Sequence, residues 1–257
     1  MKHRILQIAS GLLSLLILGI ALWALHHALG QYRYRDVIRE LYAIPLSSVL
    51  LAFLFTVASF FVLQLYDALA VRYAGHPLSW SRTSLVSFLA YAIGHNAGFA
   101  SLGTTSVRFR MYSGWKLSAI EIAKIVAFCS VTYWIGFATL GSFLFLFHSF
   151  PLPSHIRLPF ENLRPFGVIL FLVLFIYVGL AFRHKTSFRF RSTEFWLPSK
   201  RAIAAQMGVG SLDCFLAGVA LYVLLPPYPG LSVLYFLGIY LLAQMVGLIS
   251  HVPGGLG

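Results

Sequence analysis

The sequence predicts an all-α, polytopic transmembrane protein, and both its composition and the spacing of its apolar residues support this fold class. Of the 257 residues, 59% are hydrophobic and only 10% are charged, and the mean hydropathy is +0.83. Soluble globular domains carry about 25% charged residues. The apolar residues also arrive in blocks of about 20, which is the length that a helix needs to cross the hydrocarbon core of a bilayer.

Seven apolar blocks are joined by short basic or proline-containing loops. They lie at 5–29, 45–66, 84–103, 119–148, 166–182, 202–225 and 231–252. The first block is too long for the apolar part of a cleaved signal peptide, so it is expected to be a retained anchor. No loop is long enough for a separate soluble domain. We therefore expect one transmembrane domain over residues 1–257.

The third block differs from the others because glycine and polar residues interrupt its second half, at Gly94, His95, Asn96 and Gly98. Irregular backbone at membrane depth is tolerated only where protein or a water-filled cavity satisfies its polar groups. The block is therefore predicted to enter the membrane and turn back. Of the 19 Lys and Arg, Lys124 lies within an apolar block and is left out of the count. With the third block re-entrant, 13 of the other 18 lie on the cytoplasmic side and five outside, against 12 and 6 if it crosses fully.

A short internal similarity predicts two halves. The segment IGHNAG at 93–98 resembles ISHVPG at 249–254, and a Leu-Gly pair follows each. Inverted repeats of this kind are typical of transporters. We expect halves at 1–148 and 149–257, the second incomplete as in a truncated protein, with about six full crossings and one or two re-entrant glycine-rich hairpins.

The formal net charge of +12 indicates anionic lipid as the partner rather than nucleic acid, because the basic residues flank membrane helices. Each such residue near an acidic membrane surface contributes about 1 kcal/mol of attraction. The segment at 31–41 is predicted to be an amphipathic interfacial anchor, and the basic run at 183–201 a lipid-contacting loop.

The glycine-rich break leads into a candidate phosphate site at Ser106, Arg108 and Arg110. Hydroxyl groups donate to phosphate oxygens, and a guanidinium can bind two of those oxygens at once. The alternative is that the arginines only set topology and contact head groups.

Asp213, near the middle of its apolar block, and Asp67, at the end of the second block, are predicted to hold a cationic group. A carboxylate at a helix centre, as expected for Asp213, costs about 3 kcal/mol and usually faces a cavity. Asp67 could instead be a solvated acid at a helix end. Glu121 and Lys124, three residues apart, are expected to pair with each other.

His95, Asn96 and His251 are predicted to line the cavity as polar groups, with simple packing as the alternative. No H-E-x-x-H or C-x-x-C motif is present, and the two cysteines suggest no disulfide framework. We predict no metal and no cofactor.

The run SLGTTSVRFRMYSG at 101–114, followed by Leu117, Ser118 and Glu121, resembles the flippase region of the bacterial multiple peptide resistance factor family. The closing HVPGGLG at 251–257 is similar to a second signature of that family, which there leads on to a Glu. Members are lysylphosphatidylglycerol synthases and flippases of the bacterial plasma membrane. The resemblance implies a multi-pass domain that brings aminoacylated phosphatidylglycerol to the outer leaflet and so contributes to resistance to cationic antimicrobial peptides.

The synthase half of that family has no counterpart here, so no catalytic residue is predicted and the chain is not expected to be an enzyme. One alternative is an intramembrane lipid transferase, with His95 or His251 as general base and Asp213 orienting it. Another is a scaffold for a separate or fused phosphatidylglycerol lysyltransferase. A homo-oligomer is also possible.

Overall fold

The computed structural model describes residues 19, 23, 34–96, 100–148, 150, 162–182, 187–190, 193–196 and 198–250. At 34, 36, 37, 95, 96, 100–102, 181, 187–190, 193–196 and 248–250 it describes the backbone alone. The described part forms eight helices and two strands, in the order α1 (Tyr34–Ala43), α2 (Leu46–Tyr73), α3 (Trp80–Asn96), α4 (Ala100–Gly114), α5 (Ala119–Phe147), α6 (Arg164–Phe182), β1 (Ser187–Phe190), β2 (Thr193–Trp196), α7 (Lys200–Tyr222) and α8 (Val233–Ser250).

The predicted all-α membrane class is confirmed. Three helices, α2, α5 and α7, are long and apolar enough to cross a bilayer, and α6 and α8 contain shorter apolar stretches at Arg164–Leu180 and Val233–Gly247. The two four-residue strands pair only with each other, with Phe188 opposite Phe195. The first apolar block lies almost wholly outside the described residues. The total of about six crossings remains a prediction.

Large apolar side chains on the outer surface are explained by lipid. On α2, Phe53, Leu54 and Phe61 are each more than half exposed, and α6 exposes Phe175 and Ile176 in the same way. A soluble monomer rarely presents contiguous apolar surface on this scale. These faces therefore suit hydrocarbon, whereas Ser59 and Asp67 of α2 are buried in the bundle.

The third apolar block forms two helices instead of one. The helices α3 and α4 pack against each other, and because only residues 97–99 separate them, they must run in opposite directions. Arg82, in the first turn of α3, has its guanidinium 5.4 Å from the centre of the ring of Trp115, which directly follows α4. In the segments that flank the hairpin, His76 Nδ1 lies 3.3 Å from Glu121 Oε1. The chain thus enters and leaves this hairpin at one end of the bundle, as a re-entrant segment would.

The ends of this hairpin are fixed by backbone motifs that the sequence partly encodes. The helix α2 ends at Tyr73, and Gly75 follows with a φ of +82°, which glycine adopts without strain. His76 N–H donates to the Val71 carbonyl in a Schellman motif. The helix α4 ends in the same motif, but Lys116 occupies the left-handed position with φ of +66°. A side chain costs about 1 kcal/mol in that conformation.

The predicted pair of Glu121 and Lys124 is wrong. Glu121 instead closes a capping box at the start of α5, where its carboxylate accepts from Ser118 N–H at 2.6 Å and from the Ser118 hydroxyl at 2.8 Å. The same carboxylate contacts His76. The cap prevails because it satisfies the unpaired N–H groups of the first helical turn, whereas an exposed pair on one helix contributes only about 0.2–0.5 kcal/mol.

The helices α5 and α7 form the centre of the bundle, and they cross at a pair of glycines. A Cβ atom on Gly136 would overlap the backbone of Gly210, and a Cβ on Gly210 would lie 2.5 Å from the Thr132 carbonyl oxygen. Small residues at a crossing let two helix backbones approach closely. One apolar core lies between α2, α3, α4 and α5, and a second lies between α5, α7 and α8.

Candidate functional site

A buried ion pair joins the α3–α4 hairpin to α2. Arg108 Nε donates to Asp67 Oδ1 at 2.9 Å and Arg108 Nη2 donates to Asp67 Oδ2 at 2.8 Å, so the contact is bidentate. Tyr112, one turn along α4, donates its hydroxyl to Asp67 Oδ1 at 2.9 Å. Asp67 is fully buried and Arg108 is 3% exposed. The carboxylate is therefore neutralised and supplied with three donors inside the bundle.

Two tyrosine rings connect this pair to a second acid. The guanidinium of Arg108 lies 5.0 Å from the centre of the Tyr91 ring, within the range of a cation–π contact. The Tyr91 ring in turn meets the Tyr66 ring edge-on, with centroids 6.3 Å apart. Tyr66 directly precedes Asp67 on α2, but its hydroxyl group contacts the second acid.

The second acid is Asp213 on α7, which faces α2. Ser59 donates its hydroxyl to Asp213 Oδ1 at 2.8 Å, and Tyr66 donates its hydroxyl to Asp213 Oδ2 at 3.1 Å. Asp213 is 8% exposed. Both donors are neutral, and no Lys, Arg or His among the described side chains forms an ion pair with this carboxylate. Asp67 therefore has a positive counter-charge, and Asp213 has none among the described side chains.

The rotation of α7 that aims Asp213 at α2 is held by a polar network two turns earlier on the same helix. Gln206 is fully buried, donates from Nε2 to the Thr132 hydroxyl at 3.1 Å, and accepts from the Tyr177 hydroxyl at 2.8 Å. Together with the crossing at Gly210, these contacts fix α7 against α5 and α6. Buried polar groups that are all satisfied specify a single packing arrangement.

The structure divides the predicted phosphate ligands between two sides of α4. Arg108 lies inside and is engaged by Asp67, whereas Ser106 and Arg110 are exposed together with Phe109. The expectation that Arg108 is free to bind phosphate, and that Asp67 is free to bind a cation or is a solvated helix-end acid, is therefore not met in this conformation. The two opposite charges satisfy each other because helix packing brings them into contact.

The remaining predicted residues have different outcomes. The side chains of His95 and Asn96, and the whole of His251, lie outside the described residues, so their predicted role in lining a cavity remains a prediction. The described side chains include no group of three or more His, Cys, Asp or Glu that could hold a metal ion.

Sequence reasoning did not find the partners of the acids. Ser59, Tyr66, Tyr91 and Tyr112 are ordinary residues for a membrane helix, and single positions of this kind carry no signal. The one usable signal was the spacing of Arg108 and Tyr112, because residues four apart lie on the same face of a helix. That spacing would have turned both side chains toward a common partner.

The comparisons with known proteins agree with a membrane protein. No family model matches the chain. It is 34% identical over 258 residues to the uncharacterized protein slr0712 of Synechocystis sp., which covers 99% of this chain and 79% of that protein. It is 31% identical over 205 residues to the inner membrane protein YbhN of Escherichia coli, which covers 78% of this chain and 63% of YbhN.

A more distant relative is the phosphatidylglycerol lysyltransferase of Staphylococcus aureus, which is 24% identical over 237 residues. That match covers 91% of this chain but only 26% of the relative. The helices of membrane length and the likeness to YbhN identify the chain as a bacterial inner-membrane protein. Its identity to slr0712 over nearly its whole length means that the chain belongs to the same protein family as slr0712.

Proposed function

We propose that this chain translocates the head group of an anionic or aminoacylated phospholipid across the inner membrane, with lysyl-phosphatidylglycerol as the substrate. The head group would pass along the interface of α2 and α7 while the acyl chains stay in the bilayer. The distant relationship to a phosphatidylglycerol lysyltransferase supports a lipid-related membrane function. Delivery of a cationic lipid to the outer leaflet would lower the negative surface charge and so contribute to resistance to cationic antimicrobial peptides.

The observation that carries the proposal is the contrast between Asp67 and Asp213. Asp67 has a buried arginine as its counter-charge, whereas the partners of Asp213 among the described side chains are the hydroxyl groups of Ser59 and Tyr66. An uncompensated carboxylate in a membrane interior is costly, and such residues face a pathway or a ligand. A lysyl ammonium group would supply the missing positive charge, and it would form charge-assisted hydrogen bonds worth about 1.5–3 kcal/mol each.

The phosphate would be contacted from the exposed side of α4. Arg110 and Ser106 lie one helical turn apart on that face, and neither is part of the buried pair. Arg108 would instead position the hairpin, and the predicted roles of His95, Asn96 and His251 as polar lining belong to the same proposal. No cofactor is needed for translocation itself.

Synthesis of the lipid is not part of the proposal, because the chain corresponds to only 26% of the lysyltransferase. A separate or fused synthase would supply the substrate. The alternative of an intramembrane transferase needs a histidine oriented by Asp213. The two described partners of Asp213 are a serine and a tyrosine, so nothing described favours that mechanism.

Reconstitution into liposomes with fluorescent lysyl-phosphatidylglycerol tests the proposal. The wild-type chain should move the lipid between leaflets without changing its mass, and a transferase would change the mass. A scaffold would do neither. Asp213→Asn preserves the shape of the side chain, so the variant should insert and fold but lose its preference for lysyl-phosphatidylglycerol over phosphatidylglycerol by about tenfold or more.

The matched control is Glu40→Gln, which removes an exposed carboxylate from α1. It should transport both lipids as the wild type does. A stable Asp213→Asn protein with an unchanged lysyl preference would remove Asp213 from the substrate site. Absence of any leaflet exchange by the wild type would reject translocation.

A further inference from the structure

A cavity opens where α2 ends and α7 begins, away from the acids already described. Its volume is about 390 Å³, and it is lined by Leu69, Arg72, Tyr73, Ser199, Arg201 and Ala202. Three of these residues come from the last turns of α2, and the other three come from the first turn of α7 and its N-cap. The cavity therefore lies on the same helix interface as Asp213, at one end of the bundle.

The cavity combines two positive charges with an apolar wall. Arg72 and Arg201 belong to different helices, and neither forms an ion pair with a carboxylate among the described side chains. Leu69 and Ala202 provide apolar surface beside them. Arginines from two helices that line one cavity are suited to a phosphate, because each guanidinium can donate two parallel hydrogen bonds to its oxygens.

The serine at the mouth of the cavity adds a further donor. The hydroxyl oxygen of Ser199 caps α7 by accepting from Ala202 N–H at 3.3 Å. A hydroxyl group has one donor and two acceptor positions, so this capping bond leaves its O–H available for a phosphate oxygen. The set of two guanidinium groups and one hydroxyl matches a phosphodiester and gives no base to bind a proton or a metal.

We propose that this cavity is the loading site of the protein, where the phosphodiester of an anionic phospholipid binds before its head group moves toward Asp213. Arg72 lies six residues beyond Tyr66 on α2, which is about 9 Å along the helix axis. Arg201 lies twelve residues before Asp213 on α7, which is about 18 Å along that axis. The cavity and the buried carboxylate are therefore separated by roughly 9–18 Å along the helix interface.

A lipid fits this cavity better than a soluble phosphate compound because both helices are of membrane length. Their ends must lie near the head groups, where long arginine side chains keep their charge in the polar layer and their stems on apolar surface. The predicted cytoplasmic side of the membrane is the one that collects most basic residues, including these two. Anionic lipid is concentrated on that side.

The test is lipid binding by the purified full-length chain in detergent, measured by native mass spectrometry over a titration. The ligands are phosphatidylglycerol, phosphatidylcholine and inorganic phosphate. The variant Arg72→Gln/Arg201→Gln should bind phosphatidylglycerol about tenfold or more weakly than the wild type, and phosphatidylcholine equally well. The control Arg39→Gln/Arg164→Gln removes two exposed arginines elsewhere and should remain within twofold of the wild type for both lipids.

Equal phosphatidylglycerol affinity in the two double variants would overturn the site, and so would equal wild-type affinity for the two lipids. Displacement of phosphatidylglycerol by millimolar inorganic phosphate would overturn the lipid assignment, because the cavity would then recognise free phosphate. The inference rests on the proposed function, but the two experiments distinguish failure of the cavity assignment from failure of the proposed function. Asp213→Asn should keep full phosphatidylglycerol affinity in this assay while it loses lysyl preference in liposomes.

Discussion

Breaking the buried pair of Asp67 and Arg108 should cost more stability than any single exposed substitution. The variant Arg108→Met keeps a long side chain but removes the guanidinium, which leaves the Asp67 carboxylate fully buried with only the Tyr112 hydroxyl as a donor. Removal of one partner from a buried pair destabilises proteins by about 3–5 kcal/mol, because the remaining charge is uncompensated. Total folding free energies are about 5–15 kcal/mol, so the effect should be large.

The double variant Asp67→Leu/Arg108→Met separates charge from packing. Replacement of a whole buried pair by apolar side chains of similar volume is often neutral or stabilising. Here the Tyr112 hydroxyl loses its acceptor, which costs about 1–3 kcal/mol. The double variant should therefore be less destabilised than Arg108→Met alone, and the mutant cycle should be strongly non-additive.

Unfolding by titration with sodium dodecyl sulfate, followed by circular dichroism, measures these differences. The control is Arg110→Met, which removes an exposed arginine from the same helix and should stay within about 0.5 kcal/mol of the wild type. An additive cycle, or equal stability of the Arg108 and Arg110 variants, would refute the reasoning. If Arg108 were instead a free phosphate ligand, its loss would weaken lipid binding without destabilising the fold.

Two further predictions concern packing and topology. Gly136→Ala should destabilise the bundle by about 1–3 kcal/mol in the same titration, because the new methyl group would overlap the Gly210 backbone, whereas Gly208→Ala meets no atom within 4 Å and should not destabilise. Single cysteines at Ser113 and Ser192 should both react with an impermeant maleimide from the cytoplasmic face, since the proposed topology puts the end of α4 and the segment 183–201 on that side. Labelling from opposite faces would contradict the re-entrant hairpin.

Much of the fold is already determined by local composition. Apolar blocks at 45–66, 119–148 and 202–225 correspond to α2, α5 and α7, because the length and hydropathy of a segment decide by themselves whether it can cross a bilayer. The break at Gly94 and Asn96 likewise indicated a chain reversal before any contact was known. A cluster of Gly94, His95, Asn96 and Gly98 is unfavourable on a continuous lipid-facing helix, because its polar groups need partners in protein or water.

The site itself could only be predicted as a set of separate residues. Asp67 and Asp213 were conspicuous because charge is expensive in or beside an apolar block, and Arg108 because it follows the glycine-rich break. All three are buried. Their partners were not predictable from the sequence. Arg108 lies 41 positions from Asp67, and Ser59 lies 154 positions from Asp213.

The tertiary structure decided which acid is neutralised by an arginine and which meets neutral hydroxyl donors among the described residues. Hydropathy is a sum over neighbours in sequence, but a salt bridge depends on the rotation and separation of two helices. Here the glycine contact of α5 with α7 and the Gln206 network set the rotation of α7, which turns Asp213 toward neutral hydroxyl groups. Packing of the α3–α4 hairpin against α2 places Arg108 beside Asp67. No property of either residue alone specifies that pairing.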